Sequence, residues 1–205
     1  LEQLEGTGVE LHKTRVPDAV GIPQWLSDKV QTVAVDGLCQ SVSFIEELHA
    51  ALGSEALIVD VPDMLDELWE DRPAVPSTPV TTLDVECFGG RQRTEKLSWL
   101  RKWMMIKGVD RILLSSLDEI AWMLNVRGCD IDYNPLVISY LLVSQDSVKW
   151  FVRKPSYSYD PDTEDSFAEV VADGVEVEDY DSVFYALSDF TQETEAVNIF
   201  IDPST

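Results

Sequence analysis

The sequence predicts an α/β fold in which a mixed β-sheet is flanked by helices. Helical spacing of apolar residues alternates with short strand-like runs along most of the 205 residues. Serine or aspartate precedes several of the helical segments, and proline or glycine follows them. The runs at 138–144 and 148–153 are close enough to form a hairpin, which predicts one antiparallel pair beside parallel pairs.

The first 37 residues predict a strand, a short helix and a second strand. VELHKTRV, residues 9–16, alternates apolar and polar positions as a strand does. Pro23 can open a short helix that includes Trp25 and Leu26. TVAVDG, residues 32–37, is typical of a buried strand.

Two helices and a strand follow before residue 72. Ser43 and Glu46 fit a capping box, and the helix after them buries one face: Phe44, Ile45, Leu48, Ala51 and Leu52. ALIVDV, residues 56–61, predicts a strand. Asp63 can cap another helix, whose buried residues would be Met64, Leu65, Leu68 and Trp69. Prolines at 73–79 end regular structure, so residues 73–90 are expected to link two domains.

The second domain, residues 91–205, is predicted to open with a helix, a strand and a helix. Gly108 ends an amphipathic helix that carries Leu97, Leu100, Trp103 and Met104. RILLS, residues 111–115, is the strand after it. Ser116 and Glu119 form a second capping-box pattern, and the helix after them must end before Gly128. Its predicted apolar residues are Ile120, Ala121, Met123 and Leu124.

The segments after the hairpin complete the alternation of helices and strands. They are an acidic loop at 156–165, a helix at 167–172, a strand at 175–180, a helix at 181–190 and a strand at 196–202. Residues 9–37 and 175–203 form a weak internal repeat, since both run from Val-Glu through a helix to an aliphatic strand that ends in Asp. Residues 1–72 are therefore expected to be the back half of a first domain.

Composition limits the partners of this chain. Fifteen basic and 38 acidic residues give a formal net charge of −23, which repels nucleic acid phosphates. No apolar run approaches the roughly 18 residues of a membrane span. The three cysteines contain no C-x-x-C pair and fit reduced thiols in the cytoplasm.

No catalytic or metal-binding motif is recognisable in the sequence. His12 and His49 are interpreted as surface residues, and DPDTED, residues 160–165, as a solvated loop, because it lacks the glycine and glutamate of a calcium loop. Asp118 and Glu119 suit the start of a helix. The tryptophans Trp99, Trp103 and Trp122 are interpreted as core or interface residues rather than as a ligand cage.

Arg127 stands in the stretch NVRGCDIDYNP, residues 125–135, between two apolar segments. A cation on a turn between buried elements is expected to have a carboxylate partner, here Asp130 or Asp132. Two roles remain open for the loop. The ion pair could serve only to rigidify the turn, or the loop could dock against another domain or subunit.

The other residues of this loop are predicted to shape its backbone. Gly128 is expected to permit the turn, and Asn134 with Pro135 to fix the entry to the next strand. The candidate contact residues are Arg127, Gly128, Asp130 and Asn134.

DEIAWMLNVRGCDIDYNPLVISYLLV, residues 118–143, resembles the N-terminal non-catalytic region of the Xaa-Pro aminopeptidases, the aminopeptidase P family. The second domain of that family carries a similar run of the form LDEIAW-LN-RG-D---NP-----Y. The likeness extends to WEDRP at 69–73 and RILLSSLDEIAW at 111–122. It departs at Cys129, where relatives commonly have serine, a small residue exchanged for another.

The resemblance implies a creatinase/aminopeptidase P N-terminal domain-like fold with a ribonuclease H-like motif. It also implies a longer peptidase, in which two related α/β domains precede a pita-bread catalytic domain. That domain holds two divalent metals, usually manganese, through two Asp, one His and two Glu, and cleaves the bond before a penultimate proline. None of these ligand motifs can be placed here, so no catalytic, substrate-binding or metal-binding residue and no cofactor is assigned to this chain.

The resulting hypothesis is the non-catalytic N-terminal portion of a cytoplasmic Xaa-Pro aminopeptidase. Its expected partners are the catalytic domain of the same polypeptide and a second copy in a homodimer, and the whole enzyme would take peptides with a penultimate proline. Its role would be to shape substrate access and to support dimerisation. The alternative is a free-standing interaction or small-molecule-binding protein with the same fold.

Overall fold

The computed structural model describes residues 2–14, 16–88, 90–153, 166–190 and 196–204. The chain forms two compact units, which meet in sequence between Arg72 and Pro73. The predicted acidic loop at 156–165 lies outside the described residues.

The first unit contains two helices and a pair of parallel strands. They follow in the order α1 (Ile22–Leu26), β1 (Thr32–Val35), α2 (Val42–Leu52) and β2 (Leu57–Asp60). Strands β1 and β2 pair from Thr32 opposite Leu57 to Val35 opposite Asp60. The sequence predicted all four elements, including the proline in the first turn of α1.

Two aspartates join the carboxyl ends of β1 and β2. The Asp60 carboxylate accepts a hydrogen bond from the Gly37 N–H at 2.9 Å, and Asp36 accepts one from the Asp63 N–H at 3.1 Å. Asp36 also accepts from the Leu38 N–H, and these two backbone donors, Leu38 first, lower the pKa of the Asp36 carboxyl. The crossed hydrogen bonds hold the two strand ends side by side.

The N-cap of α2 is Ser41 rather than the predicted Ser43. The Ser41 Oγ accepts a hydrogen bond from the Phe44 N–H at 3.3 Å, and the Ser41 backbone is extended, as an N-cap requires. Ser43 lies inside the first turn, where its hydroxyl is 3.0 Å from that of Ser41. Leu48 is the fully buried residue of the predicted apolar face.

Two predicted elements of this unit are wrong. Residues 9–14 form no strand, and their apolar side chains are exposed, because an alternating run needs a neighbouring strand and none pairs with it among the described residues. The helix predicted after Asp63 is only a 3₁₀ turn at Asp66–Leu68. Its expected core residues, Met64, Leu65, Leu68 and Trp69, are all exposed. Asp63 forms an ion pair with Arg72 instead of capping a helix.

The second unit holds the larger sheet and most of the buried core. Its described elements are β3 (Thr81–Thr82), α3 (Val85–Phe88), α4 (Arg93–Lys107), β4 (Arg111–Leu114), α5 (Leu117–Leu124), β5 (Val126–Arg127), β6 (Ser139–Ser144), β7 (Val148–Val152), α6 (Ser166–Ala172), β8 (Glu176–Glu178), α7 (Ser182–Phe190) and β9 (Ile199–Ile201). The segment predicted as a linker, 73–90, contributes β3 and α3 to this unit.

The mixed sheet predicted from the sequence is confirmed, with the strand order β8-β7-β6-β4-β9. Strand β4 is parallel to β9, and β7 is parallel to β8. The predicted hairpin joins β6 to β7 across Gln145 and Asp146. Strand β4 is also antiparallel to β6, so the sheet has one more antiparallel pair than the sequence predicted. Strands β3 and β5 form a separate short antiparallel pair.

The sheet carries a buried cluster on each face. Side chains of α4, α5 and α6 meet the larger cluster, which includes Leu100, Met104, Leu124, Leu141 and Trp150. Helix α7 covers the smaller cluster on the other face, around Leu113, Leu142, Phe151 and Val183. The sequence located both α4, which ends at a left-handed Gly108 (φ +66°), and α5, although the Ser116 side chain makes no capping hydrogen bond.

Met104 and Met105, neighbours on α4, provide a test of this core. Met104 is 0% exposed and Met105 is 66% exposed. We expect Met104→Ala to lower the free energy of unfolding by about 2–5 kcal/mol, because it leaves a cavity in the larger cluster. Met105→Ala is expected to change it by less than about 0.5 kcal/mol. Urea unfolding followed by tryptophan fluorescence measures both, and equal losses would show that this face of α4 is not the buried one.

Candidate contact loop and the C-terminal end of helix α5

Helix α5 ends at Asn125, which turns the chain into the candidate contact loop. Asn125 has a left-handed backbone (φ +54°), and its N–H reaches the carbonyls of Ala121 and Trp122. Its side-chain Nδ2 donates to the Arg91 carbonyl at 2.9 Å, and its Oδ1 accepts from Lys96. The turn is therefore fixed from both sides of the Asn125 amide group.

Three cations converge on the carbonyl groups at this helix end. Arg93 Nε donates to the Leu124 carbonyl at 2.7 Å, Lys96 Nζ donates to the Trp122 carbonyl, and an Arg127 guanidinium nitrogen donates to the Ala121 carbonyl at 3.2 Å. The last carbonyls of a helix lack partners within the helix and carry partial negative charge. Arg93, Lys96 and Arg127 therefore act together as a cationic cap on α5, and this set is called the cationic cap below.

Arg93 and Lys96 are buried, and the sequence interpretation missed both. Arg93 also forms an ion pair with Asp173, which balances its charge. Burial, followed by repulsion from Arg127 and Arg93, lowers the pKa of the Lys96 ammonium. A sequence signal was present, because Arg93 shares the buried face of α4 with Leu97, where a cation needs a partner.

The predicted ion pair of Arg127 with Asp130 or Asp132 is wrong. The Arg127 guanidinium donates to the carbonyls of Ala121 and Val126 at 3.2 and 2.7 Å, so the helix end takes the place of a carboxylate. Asp132 is exposed. The expected partners were carboxylates near in sequence, whereas the acceptors are backbone carbonyls, one on α5 and one on β5.

Asp130 instead ties the loop to the segment before β3. One carboxylate oxygen accepts from the N–H and the hydroxyl of Thr78, at 2.7 and 2.6 Å, and the other accepts from the Ile138 N–H at 2.9 Å. The Thr78 hydroxyl in turn accepts from the Cys129 N–H at 2.8 Å. Asp130 thus replaces the strand pairing that an irregular loop cannot provide.

Gly128 is required by close packing rather than by a left-handed turn. A Cβ atom on Gly128 would lie 2.6 Å from the Val137 Cγ2 and 3.5 Å from the Thr78 Oγ1. The backbone of the loop therefore lies directly against the strand entry at 136–138.

Asn134 lies at the exposed tip of the loop. The tip, residues 131–134, is closed by a hydrogen bond from the Asn134 N–H to the Ile131 carbonyl at 3.1 Å. Tyr133 at the tip is fully exposed and has φ +63°. The structure therefore separates the four predicted contact residues. Arg127, Gly128 and Asp130 build the base of the loop, and Asn134 belongs to the part that is open to contact.

Metal-ligating residues do not cluster in the described part of the chain. No group of three or more His, Cys, Asp or Glu side chains suited to a metal ion occurs among the described residues. His12 is exposed near Glu10, with 3.7 Å between Nε2 and the carboxylate, and His49 is exposed on α2. Residues 160–165, interpreted as a solvated loop, lie outside the described residues. The described helices also include none that is long and apolar enough to cross a membrane.

Comparison with known proteins identifies the family of this fold. Residues 71–205, which contain α5, the cationic cap and the loop, match the model of the creatinase/prolidase N-terminal domain. The chain belongs to the creatinase/prolidase N-terminal domain family. The resemblance seen at residues 118–143 is thereby confirmed.

The relatives of this family member are longer proteins. The chain is 29% identical to Xaa-Pro aminopeptidase app-1 of Caenorhabditis elegans, over 99% of this chain and 33% of the relative. It is 31% identical to a probable Xaa-Pro aminopeptidase P of Leptosphaeria maculans, over 94% of this chain and 31% of the relative. The chain therefore spans about a third of the curated relatives that it matches.

A solved structure shares the fold of this creatinase/prolidase N-terminal region. The crystal structure of an X-prolyl aminopeptidase from C. elegans superposes with a TM-score of 0.83 at 28% identity, over 96% of this chain and 32% of that chain. That protein is described as a cytosolic enzyme with a di-nuclear active site. The described residues of the present chain do not fit such a centre, because they hold no suitable ligand cluster.

The hydrogen bonds of Asp130 are predicted to stabilise the loop. Asp130→Ala would leave the Thr78 and Ile138 N–H groups without their acceptor, and we expect a loss of about 2–4 kcal/mol in the free energy of unfolding. Asp132→Ala, at an exposed position, is expected to cost less than about 0.5 kcal/mol. Amide hydrogen exchange should accelerate at Thr78 and Ile138 in the first variant only. Unchanged exchange at both amides would contradict the assignment.

Gly128 is predicted to tolerate no side chain beside Val137. Gly128→Ala is expected to destabilise the second unit by about 1–3 kcal/mol through overpacking. Gly90→Ala is the matched control, since a Cβ there would meet nothing within 4 Å. Val137→Ala in the Gly128→Ala background should recover part of the loss, which a double-mutant cycle in urea measures. Additive losses would show that the two side chains do not compete for the same space.

Proposed function

We propose that this chain is the non-catalytic N-terminal portion of a Xaa-Pro aminopeptidase. The supporting observation is coverage: nearly the whole chain aligns with a third of each relative. The remainder of such a polypeptide would include a catalytic domain with two divalent metals, manganese in this proposal. The whole enzyme would be cytoplasmic and would remove the residue that precedes a penultimate proline.

The proposed role of this portion is positional. Residues 1–72 would be the back half of a first domain, and residues 91–205 a second domain of the same type. By restricting the space around the substrate amine and by supporting a homodimer, they would favour short peptides over folded proteins. This role agrees with the strongly acidic surface, since a net charge of −23 attracts cationic peptide termini.

The contact loop is the surface that we assign to this role. Its base is held by Asp130, and its tip presents Tyr133 and Asn134 to the outside. A rigid base under an exposed tyrosine is a favourable arrangement for a contact, because little conformational entropy is lost on docking. The proposed partner of the tip is the catalytic domain or a neighbouring subunit.

Peptide hydrolysis tests the first part of the proposal. The full natural polypeptide, supplied with manganese, is expected to release arginine from Arg-Pro-Pro, whereas residues 1–205 alone are expected to show no turnover above buffer. Release is measured by chromatography of the products. Turnover by residues 1–205 at a rate near that of the full polypeptide would refute the non-catalytic assignment, and a natural polypeptide that ends near Thr205 would favour a free-standing interaction protein.

Tyr133→Ala in the full polypeptide tests the loop separately. Loss of a central interface tyrosine is expected to weaken dimerisation, or to lower kcat/KM, by about 10-fold. Tyr185→Ala, which removes another exposed tyrosine from α7, is expected to change neither value. Sedimentation and steady-state kinetics measure the two effects. If both variants behave like the parent, the loop is not the contact surface, while the peptidase assignment stands.

A further inference from the structure

Three tryptophans of the second unit line one groove, two of them from one turn of α4 and the third from α5. The groove has a volume of about 380 Å³ and lies between α4, α5 and the strands beneath them. Its lining includes Trp99, Trp103, Glu119, Trp122 and Phe200. The lining is almost wholly apolar, and Glu119 is its single charged side chain.

Two of the tryptophans of the groove are about half exposed to solvent. Trp99 is 54% exposed and Trp122 is 50% exposed, so, of the two interpretations from the sequence, core or interface, these two tryptophans do not fit the core. Trp103 is partly buried and meets the edge of Phe200 with 5.6 Å between the ring centroids. Exposed apolar surface of this kind commonly marks a binding site.

Glu119 restricts what can occupy the groove. It belongs to the first turn of α5 and has no ion-pair partner among the described residues. A purely apolar occupant would remove water from the Glu119 carboxylate without replacing the lost interactions. An anionic occupant would be repelled by Glu119 and by the net charge of −23.

We propose that this groove binds a small organic cation with an alkylated ammonium group. Such a ligand satisfies both features of the groove, because its charge meets Glu119 and its methyl or methylene groups contact the faces of the indoles. One indole of the groove already contacts an ammonium group, since Lys96 Nζ lies 4.5 Å from the ring centroid of Trp122. The site is independent of peptide hydrolysis and does not rest on the proposed function.

The distribution of cations around the groove supports this choice of ligand. None of its lining residues is basic. Lys102 lines a neighbouring depression that shares Trp99 with the groove and includes Glu95, and Lys96 of α4 lies over Trp122 without lining the groove. The groove therefore combines indole rings and one carboxylate with no basic residue in its lining.

Titration with choline and with 3,3-dimethylbutan-1-ol, its neutral isostere, tests the proposal on the 205-residue chain. The six tryptophans give six indole N–H resonances, which single Trp→Phe variants assign. Choline is expected to shift the resonances of Trp99, Trp103 and Trp122 and to leave those of Trp25 and Trp69 in place. The neutral isostere is expected to bind about 10-fold more weakly.

Two Glu→Gln variants, each of which removes one negative charge, distinguish binding in the groove from attraction to the net charge of the protein. Glu119→Gln is expected to weaken choline binding about 5-fold. Glu95→Gln removes the same charge from the neighbouring depression and is expected to weaken it less than about 2-fold. Trp99→Leu, at an exposed position, keeps an apolar surface but removes an indole and should weaken binding as well, which serves as the test if Glu119→Gln fails to fold.

Each contrary result overturns the proposal. Equal binding of choline and its isostere would show a merely apolar groove, and equal effects of the two Glu→Gln variants would show only attraction to net charge. Indole shifts that depend on protein concentration without ligand would identify a second copy of the chain as the occupant. The absence of any shift with choline would show that the groove does not bind this class of cation.

Discussion

The second unit depends on the neutralisation of one helix end. Helix α5 has eight residues, and most residues of its last turn are buried, so its last carbonyls need hydrogen-bond donors from the protein. The cationic cap supplies those hydrogen bonds from two directions, with Arg93 and Lys96 on α4 and Arg127 on β5. The chain has only 15 basic residues against 38 acidic ones, yet three cations lie at this helix end. Their clustering is consistent with the negative potential at the C-terminal end of a helix.

The base of the contact loop follows from that helix end. Once Asn125 has turned the chain, its carbonyl accepts the Leu83 N–H at 2.8 Å, and β5 pairs with β3. Asp130 then fastens Thr78, so the segment before β3 is held against the loop by side-chain and backbone hydrogen bonds. Segment 73–90 was expected to be a linker because of its prolines, yet these contacts make its first part a layer of the second unit.

The sequence predicted those features that local spacing encodes and missed those that a distant partner decides. Helices α4 and α5 and the β6–β7 hairpin follow from periodicity and from Gly108 or the hairpin spacing, all of which lie within a few residues. The apolar run at 9–16 has an equally clear period, but a strand also needs a pairing partner, which no local pattern reveals. The predicted ion pair of Arg127 was wrong for the same reason. Its acceptors are backbone carbonyls, which occur in every residue and leave no signal in the sequence. The groove escaped prediction because Trp99 and Trp122 come together only through the packing of two helices.

The contact loop and the groove both adjoin helix α5. Lys96 of α4 contacts α5 at the point where the two surfaces meet it. The same ammonium group donates to the Trp122 carbonyl, donates to Asn125 and lies over the Trp122 indole. One contact caps the helix, the second fixes the turn into the loop, and the third positions a wall of the groove. Burial lowers the pKa of Lys96, so holding this charge inside the protein opposes folding. A neutral apolar residue would avoid that cost, but it would leave the helix end, the turn and the indole without their common partner. Lys96 therefore connects the base of the contact loop to one wall of the groove.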